Sequence, residues 1–152
     1  MEQFNKIRVE HRQEIEKRGS KLRLSKASFM NNSKWEKLFK AVANSEISLC
    51  GESIKFIDAE KCYEHFSLKY DGLYSWVRYS TRDGSGGGPS YYKDIEWIFV
   101  PAVYEIERWN REERLQPKRI TNDISALKKL IDELGVYEYD FNEEGLKIYG
   151  YK

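Results

Sequence analysis

The chain has 152 residues, the size of a single domain, and at that length it needs neither a disulfide nor a metal ion to build a hydrophobic core. Its formal net charge of +1 argues against a strongly basic nucleic-acid protein and against an acidic mimic of DNA. Hydrophobic residues make up 40% of the chain and aromatic residues 14%, which excludes a chain that is disordered throughout.

The charges are distributed unevenly along the chain. Residues 1–40 carry 11 Lys or Arg and 5 Asp or Glu, whereas the remainder carries 15 and 20. The stretch 132–144 holds six acidic residues and no basic one. Two interpretations stay open, either a pair of oppositely charged solvated faces or a charged docking surface.

The two cysteines, Cys50 and Cys62, form no CxxC motif and no cluster with histidine. The sequence shows no secretory signal pattern and no run of 18 apolar residues. We therefore expect a cytoplasmic protein with reduced thiols, away from the membrane and without a metal or another cofactor.

Two helices are predicted in the first third of the chain. Apolar residues at three- and four-residue spacing predict a helix over 2–18 that ends at Gly19, and the basic residues 17–26 are expected to form a linker. A second helix over 33–44 begins with a capping box that opens at Ser33. Its apolar stripe predicts core packing and consists of Trp35, Leu38, Phe39 and Val42.

The middle of the chain has mostly strand character. Residues 54–58 and the aromatic–polar alternation of 74–81 predict two strands, and the apolar run 95–100 predicts a buried one. Residues 59–72 fit one face of a helix as well as a strand, and both interpretations stay open.

The strand after Pro101 is expected to resume over 102–107, and 109–114 has the composition of a charged turn. A third helix is predicted over 122–134, capped by Asn122 or Thr121. The chain closes with a hairpin whose turn requires a positive φ at Gly145, and its strands are expected over 136–141 and 146–151.

This order of elements predicts an α+β fold, an antiparallel β-sheet with about three helices packed on one of its faces. We expect one domain over residues 1–152. Within it, 1–26 would form the N-terminal helix and basic linker, and 27–152 the core.

A glycine-rich loop at 84–90 lies between two of the predicted strands. No helix and no Lys-Ser/Thr pair follows it, so the context does not fit a phosphate-binding or dinucleotide-binding loop. The loop is interpreted either as a flexible hairpin connection or as a contact with a partner.

Aromatic residues are concentrated in 63–109, which holds twelve of them. Rings on both faces of a strand cannot all enter one core, so some are expected to be exposed, as Tyr and Trp are at protein interfaces. The expected partner-binding residues are Trp76, Tyr79, Tyr91, Tyr92, Lys93 and Trp97, and a second, acidic set consists of Glu138, Asp140, Glu143 and Glu144.

No catalytic residue is predicted, and we expect no enzyme activity. His65 is near Cys62 in sequence, but such nearness does not establish the geometry of a nucleophilic pair. The acids of 105–113 alternate with arginines, which favours surface ion pairs over a hydrolytic site.

Three segments carry a resemblance to a known family. They are Gly-Pro-Ser-Tyr-Tyr-Lys-Asp-Ile-Glu-Trp-Ile at 88–98, Met-Asn-Asn-Ser-Lys-Trp at 30–35 and Ile-Tyr-Gly-Tyr at 148–151. Together they resemble a family of small uncharacterised bacterial single-domain proteins, in a pattern that covers about residues 5–152. The resemblance implies a bacterial origin and a compact domain, and it implies no reaction and no family active site.

The leading functional hypothesis follows from size and character. Small bacterial domains of this kind resemble immunity proteins, which bind and block a cognate toxin. We therefore expect a protein partner, a toxin domain that this chain binds and neutralises by steric occlusion. The alternative is a nucleic-acid-associated regulator that contacts phosphate through the basic residues of 17–26 beside exposed rings. The oligomeric state is left open.

Overall fold

The computed structural model describes residues 2–68, 91–110 and 113–152. The predicted strand 74–81 and the glycine-rich loop lie outside these residues. None of the helices in the described part of the chain is long and apolar enough to cross a membrane. In chain order the elements are α1 (Glu2–Leu24), α2 (Asn32–Asn44), β1 (Glu52–Phe56), β2 (Tyr63–Phe66), a 3-10 turn (Tyr92–Asp94), β3 (Ile95–Pro101), β4 (Val103–Asn110), β5 (Glu113–Thr121), α3 (Ile124–Leu134), β6 (Tyr139–Asn142) and β7 (Gly145–Tyr149).

The strands form a five-stranded antiparallel sheet in the order β2-β1-β3-β7-β6 and a separate two-stranded sheet of β4 and β5. The predicted α+β class is confirmed. The strand interpretation of 59–72 is confirmed over 63–66, which form β2 at the edge of the sheet. The helical interpretation of the same segment is wrong there.

The hydrophobic core lies between the large sheet and the helices α2 and α3. Alternation along the strands turns Ile54 of β1, Ile98 of β3 and Ile148 of β7 inward, and each is at most 1% exposed. The predicted stripe of α2 and two residues of α3 complete the core, namely Trp35, Leu38, Phe39, Val42, Leu127 and Ile131. We call this side of the sheet the inner face and the other side the outer face.

Both predicted helix caps are one residue or more out of position. Asn31, not Ser33, caps α2, and its side chain accepts a hydrogen bond from Lys34 N at 2.8 Å. Asp123, not Asn122 or Thr121, caps α3 in the same way. Asn122 does not cap α3 because its side chain is used in tertiary hydrogen bonds. Its Oδ1 accepts from Cys50 N, and its Nδ2 donates to Cys50 O and Pro101 O.

The basic linker predicted at 17–26 is wrong, because α1 continues to Leu24. Its last turn and the residues after it are fixed by charge: Arg23 pairs with Asp94 at 2.6 Å, and Lys26 pairs with Glu96. The residue Glu96 lies at a β-bulge of β3, which lets its carboxylate also reach Lys55 on the neighbouring strand. Burial of Glu96 acts to raise its pKa, but the two lysines outweigh burial and hold that pKa below its usual range.

The three segments that carry the family resemblance meet at one place in the fold. Gly150 N donates to Glu96 O at 2.8 Å, and Phe29 N donates to Gly150 O at 2.9 Å. A Cβ atom on Gly150 would lie 2.1 Å from Ile95 O and 3.1 Å from the Trp35 ring. These segments therefore hold the N-terminal connection, β3 and the last residues of the chain together.

The strand predicted after Pro101 is present but pairs elsewhere. β4 leaves the large sheet and forms a hairpin with β5, a strand that the sequence interpretation missed. The predicted turn at 109–114 is too wide, because the hairpin keeps Asn110 opposite Glu113. The expected surface ion pairs are confirmed: Glu107 pairs with Arg114 at 2.9 Å, and Glu105 with Arg119 at 3.5 Å.

Glu52 is a buried acid at the start of β1 and is 2% exposed. Its Oε2 accepts a hydrogen bond from Leu68 N at 2.6 Å, and burial raises its pKa above the usual range. A raised pKa means that the folded chain holds this proton more tightly than the unfolded chain. The contribution of Glu52 to stability is therefore full below its unfolded pKa and is lost as pH rises through its folded pKa.

We expect Glu52→Gln to be more stable than wild type at pH 7, with a free energy of unfolding that is higher by about 1 kcal/mol. The amide keeps the hydrogen-bond acceptor and removes the buried charge. The difference should shrink as pH falls toward the ordinary range of glutamate. Urea unfolding of both chains across that pH range measures it. If the free energy of unfolding changed with pH in the same way for both chains, Glu52 would not have the raised pKa described here.

Candidate functional site

The outer face of the large sheet carries a row of aromatic and charged side chains. Alternation that turns the isoleucines inward turns Trp97 and Phe99 of β3, and Lys147 and Tyr149 of β7, to the outer face. The register sets Trp97 opposite Tyr149 and Phe99 opposite Lys147. Asp140 of β6 lies opposite Lys147, which extends the row across three neighbouring strands.

These side chains line a groove with a volume of about 350 Å³. Gly145, at the start of β7, has φ +156° and lets β3 approach closely, because a Cβ there would lie 2.2 Å from Val100 O and 2.9 Å from the Phe99 ring. The residues that line this groove are Trp97, Phe99, Asp140, Asn142, Glu144, Gly145, Lys147 and Tyr149.

The rings of the groove are in contact with cations of the same chain. Lys147 Nζ lies 4.3 Å from the centre of the Trp97 ring and 5.5 Å from that of Tyr149. Lys152 Nζ lies 4.9 Å from the centre of the Tyr149 ring. These distances are within the range of cation–π attraction, so the aromatic faces here are favourable positions for positive charge.

Tyr149 and Asp140 form a polar pair at one side of the groove. The Tyr149 hydroxyl donates to Asp140 Oδ2 at 2.7 Å. Burial, together with this hydrogen bond to a carboxylate, raises the pKa of Tyr149 to about 12. The phenol therefore stays protonated at neutral pH, and it holds the Asp140 carboxylate in a fixed direction.

The acids around the groove differ in how far they are neutralised. Glu138 and Asp140 lie 3.2 Å and 3.9 Å from Lys152 Nζ. Glu144 is exposed in the turn between β6 and β7, where it forms no ion pair with the described part of the chain. The Asn142 side chain accepts from Glu144 N at 2.9 Å and from Gly145 N at 3.3 Å, which fixes the backbone of this turn.

The structure brings together part of the predicted partner-binding set. Trp97 from the aromatic set lies in the same groove as Asp140 and Glu144 from the acidic set, and Glu138 and Glu143 flank β6 at its two ends. One residue of the aromatic set and two residues of the acidic set thus line one surface. Trp76 and Tyr79 lie outside the described residues.

The remaining predicted contacts precede β3 and do not line the groove. Tyr91 is 36% exposed, and Lys93 Nζ lies 5.4 Å from the centre of its ring. The prediction for Tyr92 is corrected, because its ring is 1% exposed and packs against Phe39 in the core at a centroid distance of 5.4 Å. Its position in the 3-10 turn, rather than in a strand, directs it inward.

Five lining residues were not predicted as partner-binding residues: Phe99, Asn142, Gly145, Lys147 and Tyr149. The alternation in 146–151 could have placed Lys147 and Tyr149 on one face. Nothing local in the sequence pairs that strand with β3, so the groove itself was not predictable.

Other candidate sites gain no support from the described residues. No group of three or more His, Cys, Asp or Glu that could hold a metal ion occurs in 2–68, 91–110 or 113–152. In the basic segment, Arg23 and Lys26 bind acids of the same chain and Arg18 donates to Asp58 O. Cys50 and Cys62 are both free thiols.

The fold and the groove define a small α+β domain with an open, ligand-sized surface on one side of its sheet. A family model matches residues 19–152, and the chain belongs to that family, which is described as a family of unknown function (DUF6678). The predicted membership in an uncharacterised family is thereby confirmed. Searches of curated proteins and of solved structures give no match.

Proposed function

We propose that this chain is a protein-binding protein and that the groove is the centre of its interface. The observation that carries the proposal is the meeting of Trp97, Asp140 and Glu144 in one groove. Half-buried aromatic rings surrounded by a polar rim are the usual composition of the energetic centre of an interface.

The electrostatics of the groove support binding rather than catalysis. A hydrolytic or transfer reaction needs groups that accept and donate protons near neutral pH. Tyr149, with its pKa raised to about 12, keeps its proton near neutral pH, and its hydroxyl donates to Asp140, which acts as an acceptor. Fixed donors and acceptors of this kind recognise a partner.

The particular version that we propose is an immunity protein, which neutralises a cognate toxin domain by occluding it. Exposed Glu143 and Glu144 at the tip of the last hairpin would steer a basic partner toward the groove. Trp97 and Tyr149 would then supply the buried contact area.

The test compares partner capture by three variants of the full-length chain. Trp97→Ala removes the central ring, and Glu144→Lys reverses a rim charge without touching the core. We expect each to weaken the affinity for the partner by at least about tenfold, as loss of a central interface residue does. Lys129→Ala, on an exposed position of α3, is the matched control and should bind as wild type does.

The measurement is affinity capture from lysate and culture medium of the source organism, followed by mass spectrometry and titration of the captured protein. A stoichiometric toxin domain that wild type retains and both groove variants release supports the proposal. A partner retained equally by all four chains contradicts the site. Co-purified RNA or DNA without a protein partner contradicts the function and favours the regulator.

A further inference from the structure

Resting on the proposed function, we infer that the groove receives the guanidinium group of an arginine carried by the partner protein. The first observation is that its rings already accept positive charge. Lys147 Nζ lies 4.3 Å from the centre of the Trp97 ring, and two lysines approach the Tyr149 ring to 5.5 Å and 4.9 Å. A partner cation that takes the place of Lys147 on the Trp97 ring would meet the same attraction.

The second observation is a carboxylate without a partner at the edge of the groove. Asp140 accepts a hydrogen bond from Tyr149 and lies 3.9 Å from Lys152. Glu144 forms no ion pair with the residues that the structure describes, although it lines the same groove. A cation entering from the partner would therefore pair with Glu144 first.

The backbone of Glu144 is held by hydrogen bonds before any partner binds. Asn142 Oδ1 accepts hydrogen bonds from Glu144 N at 2.9 Å and Gly145 N at 3.3 Å, which holds the turn in one conformation. Because the turn backbone is already ordered, less backbone entropy is lost when a partner binds there. The backbone of Glu144 is thus preorganised at the rim.

The shape of the groove favours arginine over lysine. A planar guanidinium can stack on an aromatic face and give two parallel hydrogen bonds to one carboxylate, whereas an ammonium group is a strongly hydrated point charge. Trp97 and Tyr149 line the same volume of about 350 Å³ as Asp140 and Glu144.

The probe is a blocked tripeptide, Gly-Arg-Gly, titrated into the intact protein and followed by NMR. The signal is the indole N–H of Trp97, which a Trp97→Phe spectrum assigns. Two control peptides carry lysine or citrulline in place of arginine, and citrulline keeps the planar shape without the charge. We expect a saturable shift with arginine, at least threefold weaker binding with lysine, and at least tenfold weaker binding with citrulline.

Two exposed acids provide matched variants of the protein. Glu144→Gln should weaken binding of the arginine peptide at least threefold, because Glu144 lines the groove. Glu133→Gln, at an exposed acid of α3 that does not line the groove, should leave binding unchanged. Equal binding of citrulline, equal effects of the two variants, or no saturable shift up to the solubility limit of the peptide would each overturn the inference.

The two proposals fail in different ways. If the captured partner is released by Trp97→Ala but not by Glu144→Gln, and the arginine peptide does not bind, the interface stands and its arginine occupant is wrong. If the arginine peptide binds as expected while no partner protein is captured, the cation site stands and the proposed function is wrong.

Discussion

Gly150→Ala is expected to lower the free energy of unfolding by about 3 kcal/mol, among the largest effects of any single methyl group in this chain. The added Cβ would lie 2.1 Å from Ile95 O, and that carbonyl belongs to the first residue of β3. Neither side can withdraw easily, since Gly150 is bonded on both sides, to Glu96 O and to Phe29 N. Urea unfolding followed by circular dichroism measures the loss.

Gly135→Ala provides the control for this substitution. Gly135 has φ +152°, but the atom nearest to a Cβ there is Tyr137 Cε2 at 3.8 Å, so Ala would be strained in the backbone without a collision. We expect a cost of about 1 kcal/mol. Equal losses at the two positions would show that the close approach at Gly150 is not the cause.

The second large effect separates two adjacent tyrosines. Tyr92→Ala should cost about 3–5 kcal/mol, because it empties a core position that is 1% exposed and removes a ring contact with Phe39. Tyr91→Ala, at a ring that is 36% exposed, should change stability by less than about 0.5 kcal/mol. Both are measured by denaturant unfolding of the purified variants.

The comparison also tests the correction made at this position. If Tyr91→Ala lowered the free energy of unfolding more than Tyr92→Ala did, the buried ring would be that of Tyr91 and the exposed ring that of Tyr92. The pair is informative because the two residues have the same chemistry and differ only in the direction that the turn gives them.

Local patterns in the sequence were sufficient to predict the helices and the last hairpin. The apolar stripe of α2 and the glycine turn at Gly145 are short-range signals, and both were predicted with nearly correct bounds. The caps were misplaced because Asn31 and Asp123 compete with equally suitable neighbours. At the start of α3, the tertiary contacts of Asn122, invisible in a local window, decide between the two.

The groove depended on information of longer range. Trp97 and Tyr149 are neighbours only because β3 and β7 pair. In the sequence, 51 residues lie between them. The basic linker was mispredicted for a related reason. Arg23 and Lys26 look solvated until Asp94 and Glu96, about 70 residues away, are placed beside them.

The hairpin of β4 and β5 gives the chain a modular construction. Within the described residues these two strands pair only with each other, and the side chain of Asn122 joins the base of the hairpin to Pro101 and Cys50. The five-stranded sheet therefore owes none of its described strand pairing to this arm. The arm is the natural place to insert a label without disturbing the groove.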